Sequence, residues 1–355
     1  MGRVRLAIIG AGFNGQIAFI QNFFKNKKCI ITGLVEKRDK LRRQVSKKFK
    51  IKKTYSSHKD LIKDIDKFDG VVIVVKRNMI GPITYEFLKY KKPVLTEKPM
   101  AGSVSQSIKL LQTAKKFKTI YKIGYNKTYD LGVIKSKKIF DKLIKNKTLG
   151  NIVLIKSHRL SGSGYDKKNE YIVSGEANNL DKPNWPLKPN WLPKKFDRSY
   201  EKYLNLYCHN VGLMRYFTNE TPKVVGANLS DKSASVVSFK YKKFNGILET
   251  GFFSRHGWDE TLEIYFEYGS LKINLPPQHY KNLTANFVIY NSKSNRKKYF
   301  KFGKGWSFKN QCDGFVEDIK KKKVSINKAS EAINDIKVIE NIWKIYLKND
   351  TKNYK

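Results

Sequence analysis

Val4-Arg5-Leu6-Ala7-Ile8-Ile9-Gly10-Ala11-Gly12-Phe13-Asn14-Gly15 is the stretch that decides the fold of this chain. Its pattern predicts a buried strand over residues 4–9 and an amphipathic helix over residues 16–24. A strand, a glycine turn and a helix in this order form the context that a dinucleotide fingerprint requires. Gly10 would permit the tight turn, Gly12 would let a pyrophosphate approach the backbone, and Gly15 would let helix and strand pack closely. The motif alone is weak evidence, because glycine turns also close ordinary strand–helix units.

An acidic residue follows at the spacing that a dinucleotide site needs. The next predicted strand, residues 30–35, ends at Glu36, about 20 residues beyond the last glycine, where an acid binds the adenosine ribose hydroxyls of NAD. The alternative is a solvated charge at a helix start. Lys37 and Arg38 come next and could instead receive the 2′-phosphate of NADP. Glu36 would repel that phosphate, so the sequence favours NAD over NADP.

Strands and helices alternate over about the first 125 residues, which is typical of a doubly wound α/β domain with a parallel sheet. Further strands are predicted over residues 51–55, 70–75, 93–96 and 120–125. Helices are predicted over residues 58–65, 82–90 and 103–116, with Pro82 in the first turn of its helix.

The tripeptide Glu97-Lys98-Pro99 closes the predicted strand 93–96. Open α/β sheets bind ligands at the carboxyl ends of their strands, so Lys98 can lie where cofactor and substrate meet. A cation there would stabilise negative charge that develops on a substrate oxygen. Glu97 could orient Lys98 or touch the nicotinamide end. The alternative is a Lys–Glu pair on an ordinary loop.

The chain resembles the Gfo/Idh/MocA family, the glucose–fructose oxidoreductase and inositol dehydrogenase group. The resemblance rests on the glycine turn, the run Val94-Leu95-Thr96-Glu97-Lys98-Pro99-Met100-Ala101, the strand end Gly124-Tyr125-Asn126 with Tyr129-Asp130, His209 in a predicted helix, and the segments 263–271, 314–319 and 329–346. It implies an N-terminal Rossmann domain (1–125) and a substrate-binding and oligomerisation domain (126–355) with an open, mostly antiparallel sheet. The last helix, about residues 329–347, is expected to pack back on the first domain. NAD(P)-dependent oxidation of the CH–OH groups of sugars, polyols or their derivatives is the implied activity.

The resemblance also implies site residues. Lys98 matches a lysine with a role in catalysis and cofactor positioning, and His209 matches a proton acceptor. Histidine suits this task because its pKa lies near the operating pH. His209 lies in a stretch of helical periodicity, 203–217, on a polar line with Glu201 and Asn205. From residue pattern alone, a single histidine on a helix is more often structural.

Two departures from the family pattern leave other functions open. Asn205 stands where family dehydrogenases commonly carry an aspartate, and an amide does not raise the basicity of His209 as a carboxylate would. Val75-Lys76-Arg77, with Ile80 beyond, replaces a Thr-Pro-Asn run and its histidine, although Lys76 and Arg77 could still contact cofactor phosphates. The alternatives are a non-catalytic NAD-binding regulator and a redox-neutral sugar enzyme that retains its NAD.

These arguments define three residue sets. The predicted cofactor site comprises Gly10, Gly12, Phe13, Asn14, Gly15, Glu36, Lys37, Arg38, Val75, Lys76, Arg77, Glu97, Lys98 and Asn126. The predicted substrate site comprises Lys98, Tyr129, Arg159, Trp191, Asn205 and His209, of which Lys98, Asn205 and His209 are the predicted catalytic residues. Trp191 belongs to a loop-like stretch, 160–200, which is either a lid over the substrate pocket or packing against the sheet.

Composition limits the remaining function classes. The 355 residues carry a net charge of +42, but lysines are spread along the whole chain and arginine is scarce, so nucleic acid is not expected as a partner. The sequence has no apolar run long enough to predict a membrane span. Three scattered cysteines (Cys29, Cys208 and Cys312) form no metal motif and fit a reducing cytoplasm. A homodimer or homotetramer is expected from the family resemblance.

Overall fold

The computed structural model describes residues 2–162, 170–177, 185–230, 232–253 and 257–350. It divides into two compact units. Unit 1 combines residues 1–125, 168–194 and 308–336, and unit 2 combines residues 126–167, 195–307 and 337–355.

Unit 1 is built on a six-stranded parallel sheet with the strand order β3-β2-β1-β4-β5-β6. Its strands are β1 (Val4–Ile9), β2 (Cys29–Val35), β3 (Lys53–Tyr55), β4 (Gly70–Ile73), β5 (Val94–Thr96) and β6 (Tyr121–Ile123). The helices between them are α1 (Gln21–Lys25), α2 (Asp39–Lys48), α3 (His58–Lys63), α4 (Arg77–Lys89) and α5 (Val104–Lys116). All four residues of β4 are buried, as expected for a strand covered on both faces. The predicted doubly wound fold is confirmed.

The segment after the glycine turn differs from the predicted amphipathic helix. Residues Gly15–Ile20 form a π-helical stretch, and α1 follows directly. Every residue of Gly15–Ile20 is buried, which is typical of a helix surrounded by protein rather than one with a solvent face. The covering comes partly from a distant helix, since Phe19 and Phe308 have ring centroids 6.1 Å apart.

Helix α4 begins earlier than predicted. It starts at Arg77, so Pro82 lies inside the helix and not in its first turn. The prediction relied on the preference of proline for the first turn, and it therefore placed the start of the helix five residues too late. The Val75-Lys76-Arg77 run is consequently the junction of β4 with α4, with Lys76 at the N-cap.

Unit 1 extends beyond the predicted limit of residue 125 because helix α8 (Ser307–Lys321) packs on the parallel sheet. A methyl group placed on Gly70 of β4 would lie 2.6 Å from Cδ1 of Ile319. Lys122, fully buried on β6, forms an ion pair with Asp318 of α8. These contacts supply an apolar cover and a countercharge from sequence far beyond the first domain.

Unit 2 contains an eight-stranded sheet with the order β14-β13-β12-β11-β7-β10-β9-β8. Its strands are β7 (Ile152–Ser161), β8 (Lys223–Asn228), β9 (Ser235–Lys240), β10 (Asn245–Phe252), β11 (Trp258–Phe266), β12 (Gly269–Asn274), β13 (Asn286–Asn291) and β14 (Arg296–Phe300). Only the β7–β10 pair is parallel among the pairs that these strands form, so the predicted mostly antiparallel sheet is confirmed. Alternation of buried and exposed residues along β9 shows that one sheet face is covered.

Three helices complete the described chain. They are α6 (Leu131–Lys145), α7 (Asp197–Thr218) and α9 (Ala329–Asp350). The predicted last helix belongs to both units, with residues 329–336 in unit 1 and the rest in unit 2. Within the described ranges, none of the helices has the length and apolar character required to cross a membrane.

Candidate active site

The three glycines of the turn between β1 and the π-helical stretch differ in the space around them. Gly10 has φ +101, and a methyl group there would lie 2.1 Å from the carbonyl oxygen of Val74. A methyl group on Gly15 would lie 2.3 Å from the carbonyl oxygen of Gly10. Around Gly12, in contrast, no described atom outside its chain neighbours lies within 4 Å of the methyl position. Gly10 and Gly15 are therefore required by the fold, whereas Gly12 leaves space beside the backbone where a ligand can approach.

This difference gives a test with an internal control. Gly12→Ala is expected to leave the melting temperature unchanged but to weaken NADH binding by about tenfold or more, because the methyl group occupies only the ligand space. Gly10→Ala is expected to lower the melting temperature as well, because its methyl group meets backbone. Thermal unfolding and NADH fluorescence titration of both variants measure the two effects. A Gly12→Ala protein with unaltered NADH affinity would contradict the assignment.

Glu36, at the end of β2, joins the glycine turn to the start of α2. Its Oε2 accepts a hydrogen bond from Ala11 N (3.0 Å) and from Nη2 of Arg38 (3.0 Å). Its Oε1 accepts from Nε of Arg38 (2.9 Å). Burial alone would raise the pKa of Glu36, but the hydrogen bonds from Arg38 and Ala11 outweigh it and hold the pKa below its usual value. An ionised acid thus lies beside the turn, as the sequence predicted.

The same pair bears on the predicted role of Arg38. Its guanidinium is engaged by both oxygens of Glu36, and the pairing raises the pKa of Arg38. A 2′-phosphate would have to compete with a carboxylate for this guanidinium. Lys37 is exposed beside it.

Two other strand ends lie at the same edge of the parallel sheet. Lys76 and Arg77, both exposed, follow β4, while Val75 is half-buried. Glu97 and Lys98 follow β5, where Glu97 is buried and its Oε2 accepts the backbone N–H of Lys98 at 3.1 Å. Lys98 is half-buried, and its peptide bond to Pro99 is cis. The carboxyl ends of β1, β2, β4 and β5 therefore gather the predicted cofactor residues of unit 1, with Phe13 and Asn14 in the glycine turn.

Unit 2 holds the other predicted site residues, except Trp191. His209 is buried on α7, and Asn205 is half-buried one turn before it. Asn126 and Tyr129 are buried in the short helix Asn126–Tyr129, where Nδ2 of Asn126 donates to Oγ of Ser307 at 2.9 Å. Glu201, Asn205 and His209 lie on one helix as predicted.

Arg159 is used inside unit 2. Its Nη1 donates to the carbonyl oxygen of Leu206 in α7 at 2.6 Å, and its guanidinium lies 4.9 Å from the ring of Trp258. The side chain is buried. Arg159 therefore supports the helix that carries His209.

A buried polar cluster beside His209 was not predicted. Nδ2 of Asn210 donates to Oγ of Ser157 (3.1 Å) and to Oε1 of Glu260 (3.2 Å). Lys127 forms an ion pair with the same carboxylate. Each residue lies on a different element, so no local sequence signal connects them.

Trp191 and the loop around it lie in unit 1. Trp191 is 38% exposed, while Trp185 packs on α4, with its Nε1 2.3 Å from the methyl position of Gly81. Trp185 of this loop thus packs on a helix. Residues 163–169 and 178–184 of the predicted lid lie outside the described residues.

A cavity of about 240 Å³ lies within unit 2. Its lining is aromatic, hydroxylated and basic, and includes Tyr203 and Tyr207 of α7, Trp343 of α9 and Lys202. Tyr207 and His209 are two positions apart, which places them about 200° apart around the helix. The cavity therefore lies away from the polar line of Glu201, Asn205 and His209.

Comparison with known proteins agrees with this geometry. Residues 4–125 match the model of the oxidoreductase family with an NAD-binding Rossmann fold. Over 281 residues the chain is 22% identical to myo-inositol 2-dehydrogenase of Thermotoga maritima. The aligned region covers 76% of this chain and 74% of that protein.

Two solved structures share the fold over nearly the whole chain. Aldose-aldose oxidoreductase from Caulobacter crescentus, complexed with glycerol, superimposes with a TM-score of 0.75 at 16% identity and covers 98% of both chains. An oxidoreductase from Agrobacterium radiobacter, in complex with NAD⁺, L-tartaric acid and magnesium, superimposes with a TM-score of 0.72 at 12% identity, covering 98% of this chain and 97% of that one. At these identities the likeness concerns the fold.

Proposed function

We propose that the chain, whose residues 4–125 match the model of the Gfo/Idh/MocA oxidoreductase family, is an NAD-dependent dehydrogenase acting on a CH–OH group of a sugar or polyol. The observation that carries this proposal is the open space beside Gly12, with the ionised Glu36 on one side of the turn. The likeness to an inositol dehydrogenase supports the substrate class.

In the proposed mechanism each residue has one task. NAD, when bound, supplies the hydride acceptor. The backbone beside Gly12 admits the pyrophosphate, and Glu36 holds the ribose hydroxyls. The ammonium group of Lys98 stabilises the negative charge that develops on the substrate oxygen, and His209 receives its proton. Asn205 holds a substrate hydroxyl and cannot act as a carboxylate would to increase the basicity of His209.

The proposal is tested by incubating the protein with NAD and a panel of inositols, aldoses and their acid derivatives. Formation of NADH with at least one of them is the expected result. As a control, the same panel is run with the Gly12→Ala protein. Its turnover at low NAD concentration should be lower than that of the wild type, because its affinity for the cofactor is expected to be lower. A protein that binds NADH, forms no NADH with the panel and leaves the sugars themselves unchanged would instead support a regulator of the same fold.

A redox-neutral enzyme that retains NAD is the second candidate. It is favoured by contacts between residues 170–177 and the glycine turn, which would hinder release of a dinucleotide bound there. Such an enzyme would interconvert sugars without accumulating NADH, and NAD would remain with the protein through purification. Chromatography of the sugars and of the nucleotide released on denaturation separates it from a dehydrogenase.

We also propose a homodimer or homotetramer in the cytoplasm. Val225 and Val236, on adjacent strands of unit 2, are 54% and 45% exposed, and such apolar side chains on an open sheet face support association of copies. Cys29, Cys208 and Cys312 are buried free thiols, which fits a reducing compartment. Light scattering of the purified protein measures the oligomeric state.

A further inference from the structure

Residues 170–177, here called the strap, run across the predicted cofactor site of unit 1. The Tyr171 and Phe13 rings lie edge to face, with centroids 5.0 Å apart. The backbone of Ile172 pairs with the side-chain amide of Gln16, through N to Oε1 (2.8 Å) and O to Nε2 (2.9 Å). Gln16 is buried and also donates to the carbonyl oxygen of Ala11 (2.8 Å), so the strap is fixed to the glycine turn itself.

The far end of the strap reaches the start of α2. Oε1 of Glu176 accepts a hydrogen bond from Lys40 N (3.0 Å), and Oε2 accepts one from Leu41 N (2.9 Å). These N–H groups carry the partial positive charge of a helix N-terminus, which stabilises a carboxylate there. The same hydrogen bonds, with one from Ser174, lower the pKa of Glu176 to about 2, so the group is ionised throughout the neutral range.

The position of Glu176 matters because of what surrounds it. Arg38 is bound by Glu36, and Glu176 adds a second attractive charge that helps to raise the pKa of the Arg38 guanidinium. The two groups that could receive an adenosine 2′-phosphate, an arginine after β2 and the first N–H groups of α2, thus already hold carboxylates of the protein. A phosphate placed beside Glu36 would meet the negative charge of Glu176 as well.

We propose that Glu176 determines cofactor specificity, and that the strap places its carboxylate where it excludes the 2′-phosphate of NADP. This inference rests on the proposed function only in requiring that a dinucleotide binds at the glycine turn. It requires no turnover. Glu36 contributes the ribose contact, and Glu176 adds repulsion against NADP from a part of the chain that is remote in sequence.

Direct binding tests the inference. Dissociation constants for NADH and NADPH are measured by fluorescence titration of the full-length protein and its Glu176→Gln variant. The wild type is expected to prefer NADH. In Glu176→Gln the ratio of the two constants should shift toward NADPH by about tenfold, mainly through tighter NADPH binding, because a charge is removed while the side-chain shape is kept.

Two further variants separate charge from packing. Glu176→Asp keeps the charge and should keep the preference for NADH. Glu170→Gln removes an exposed carboxylate from the same strap and should change neither constant. An unchanged ratio in Glu176→Gln, or a parallel loss of affinity for both dinucleotides, overturns the inference, as does a wild type that prefers NADPH. A wild type that binds neither dinucleotide contradicts the proposed function as well.

Discussion

Replacement of Lys98 by Met is expected to lower kcat for sugar oxidation by about 10²–10³-fold, the usual cost of removing one group that stabilises a developing oxyanion. Lys98 is half-buried at the carboxyl end of β5, where the backbone N–H of the same residue is held by the buried Glu97. A thioether of similar length preserves packing but carries no charge. The expected loss therefore concerns the chemical step, and NADH affinity should change much less. Initial rates of NADH formation, together with NADH titration, measure the two quantities.

A matched control uses another lysine of unit 1. Lys115 is exposed near the end of α5, and Lys115→Met should leave kcat and NADH affinity unaltered. If Lys98→Met retains the wild-type kcat on a substrate identified by the panel, Lys98 has no part in the chemical step.

Removal of the Asp318 carboxylate is expected to give the largest loss of stability. Lys122 is fully buried on β6, and Asp318→Ala leaves its ammonium group without this countercharge. Breaking a buried pair in this way costs about 3–5 kcal/mol, which corresponds to a fall in melting temperature of roughly 6 °C or more for a unit of this size. Thermal and urea unfolding of the variant measure the loss.

The pH dependence of the Asp318→Ala variant has a defined sign. Burial lowers the pKa of Lys122, while Asp318 opposes that shift, so the pKa falls further when the carboxylate is removed. At pH values between this lowered pKa and the ordinary lysine pKa, the unfolded chain then binds more protons than the folded one. Stability of the variant should accordingly rise with pH, and its deficit against the wild type should shrink.

Two control variants test this prediction, one at another acidic residue of α8 and one that removes both charges of the Lys122–Asp318 pair. Glu317→Ala breaks the exposed pair with Lys28 and should lower stability far less than Asp318→Ala does. The double replacement Lys122→Met with Asp318→Leu should recover much of the loss, because no charge is left buried. A single Asp318→Ala protein as stable as the Glu317→Ala protein would show that the buried pair contributes little.

Strands β1, β2 and β5 of the parallel sheet were predictable because they are largely apolar runs that end at a glycine, an acid or Glu-Lys-Pro. Glu36 was proposed from its spacing to Gly15, a distance that the strand–helix–strand unit itself sets. Strand β14, in contrast, is four-fifths exposed and lysine-rich, so it carries little apolar pattern and was not predicted. The boundary of α4 was wrong because Pro82 was given a first-turn position.

Contacts between distant segments account for the other missed features. Glu176 lies 136 residues from Lys40, whose N–H it accepts, and Asn210 lies 50 residues from Glu260. A side chain that hydrogen-bonds to a distant helix or strand leaves no periodic pattern or fixed spacing in the sequence by which it could be recognised. Such residues become visible only when the fold brings the segments together.

The ion pair between Lys122 and Asp318 also constrains how unit 1 is made during synthesis. The residues of the parallel sheet are synthesised first. The countercharge for Lys122 and the apolar cover for Gly70 are supplied by α8, which is made almost two hundred residues later, after most of unit 2. Until then the ribosome-bound first segment must keep Lys122 hydrated or deprotonated. The α/β sheet therefore reaches its final packing only after α8 has been synthesised, and an isolated fragment of residues 1–125 lacks the partner that one of its most buried side chains requires.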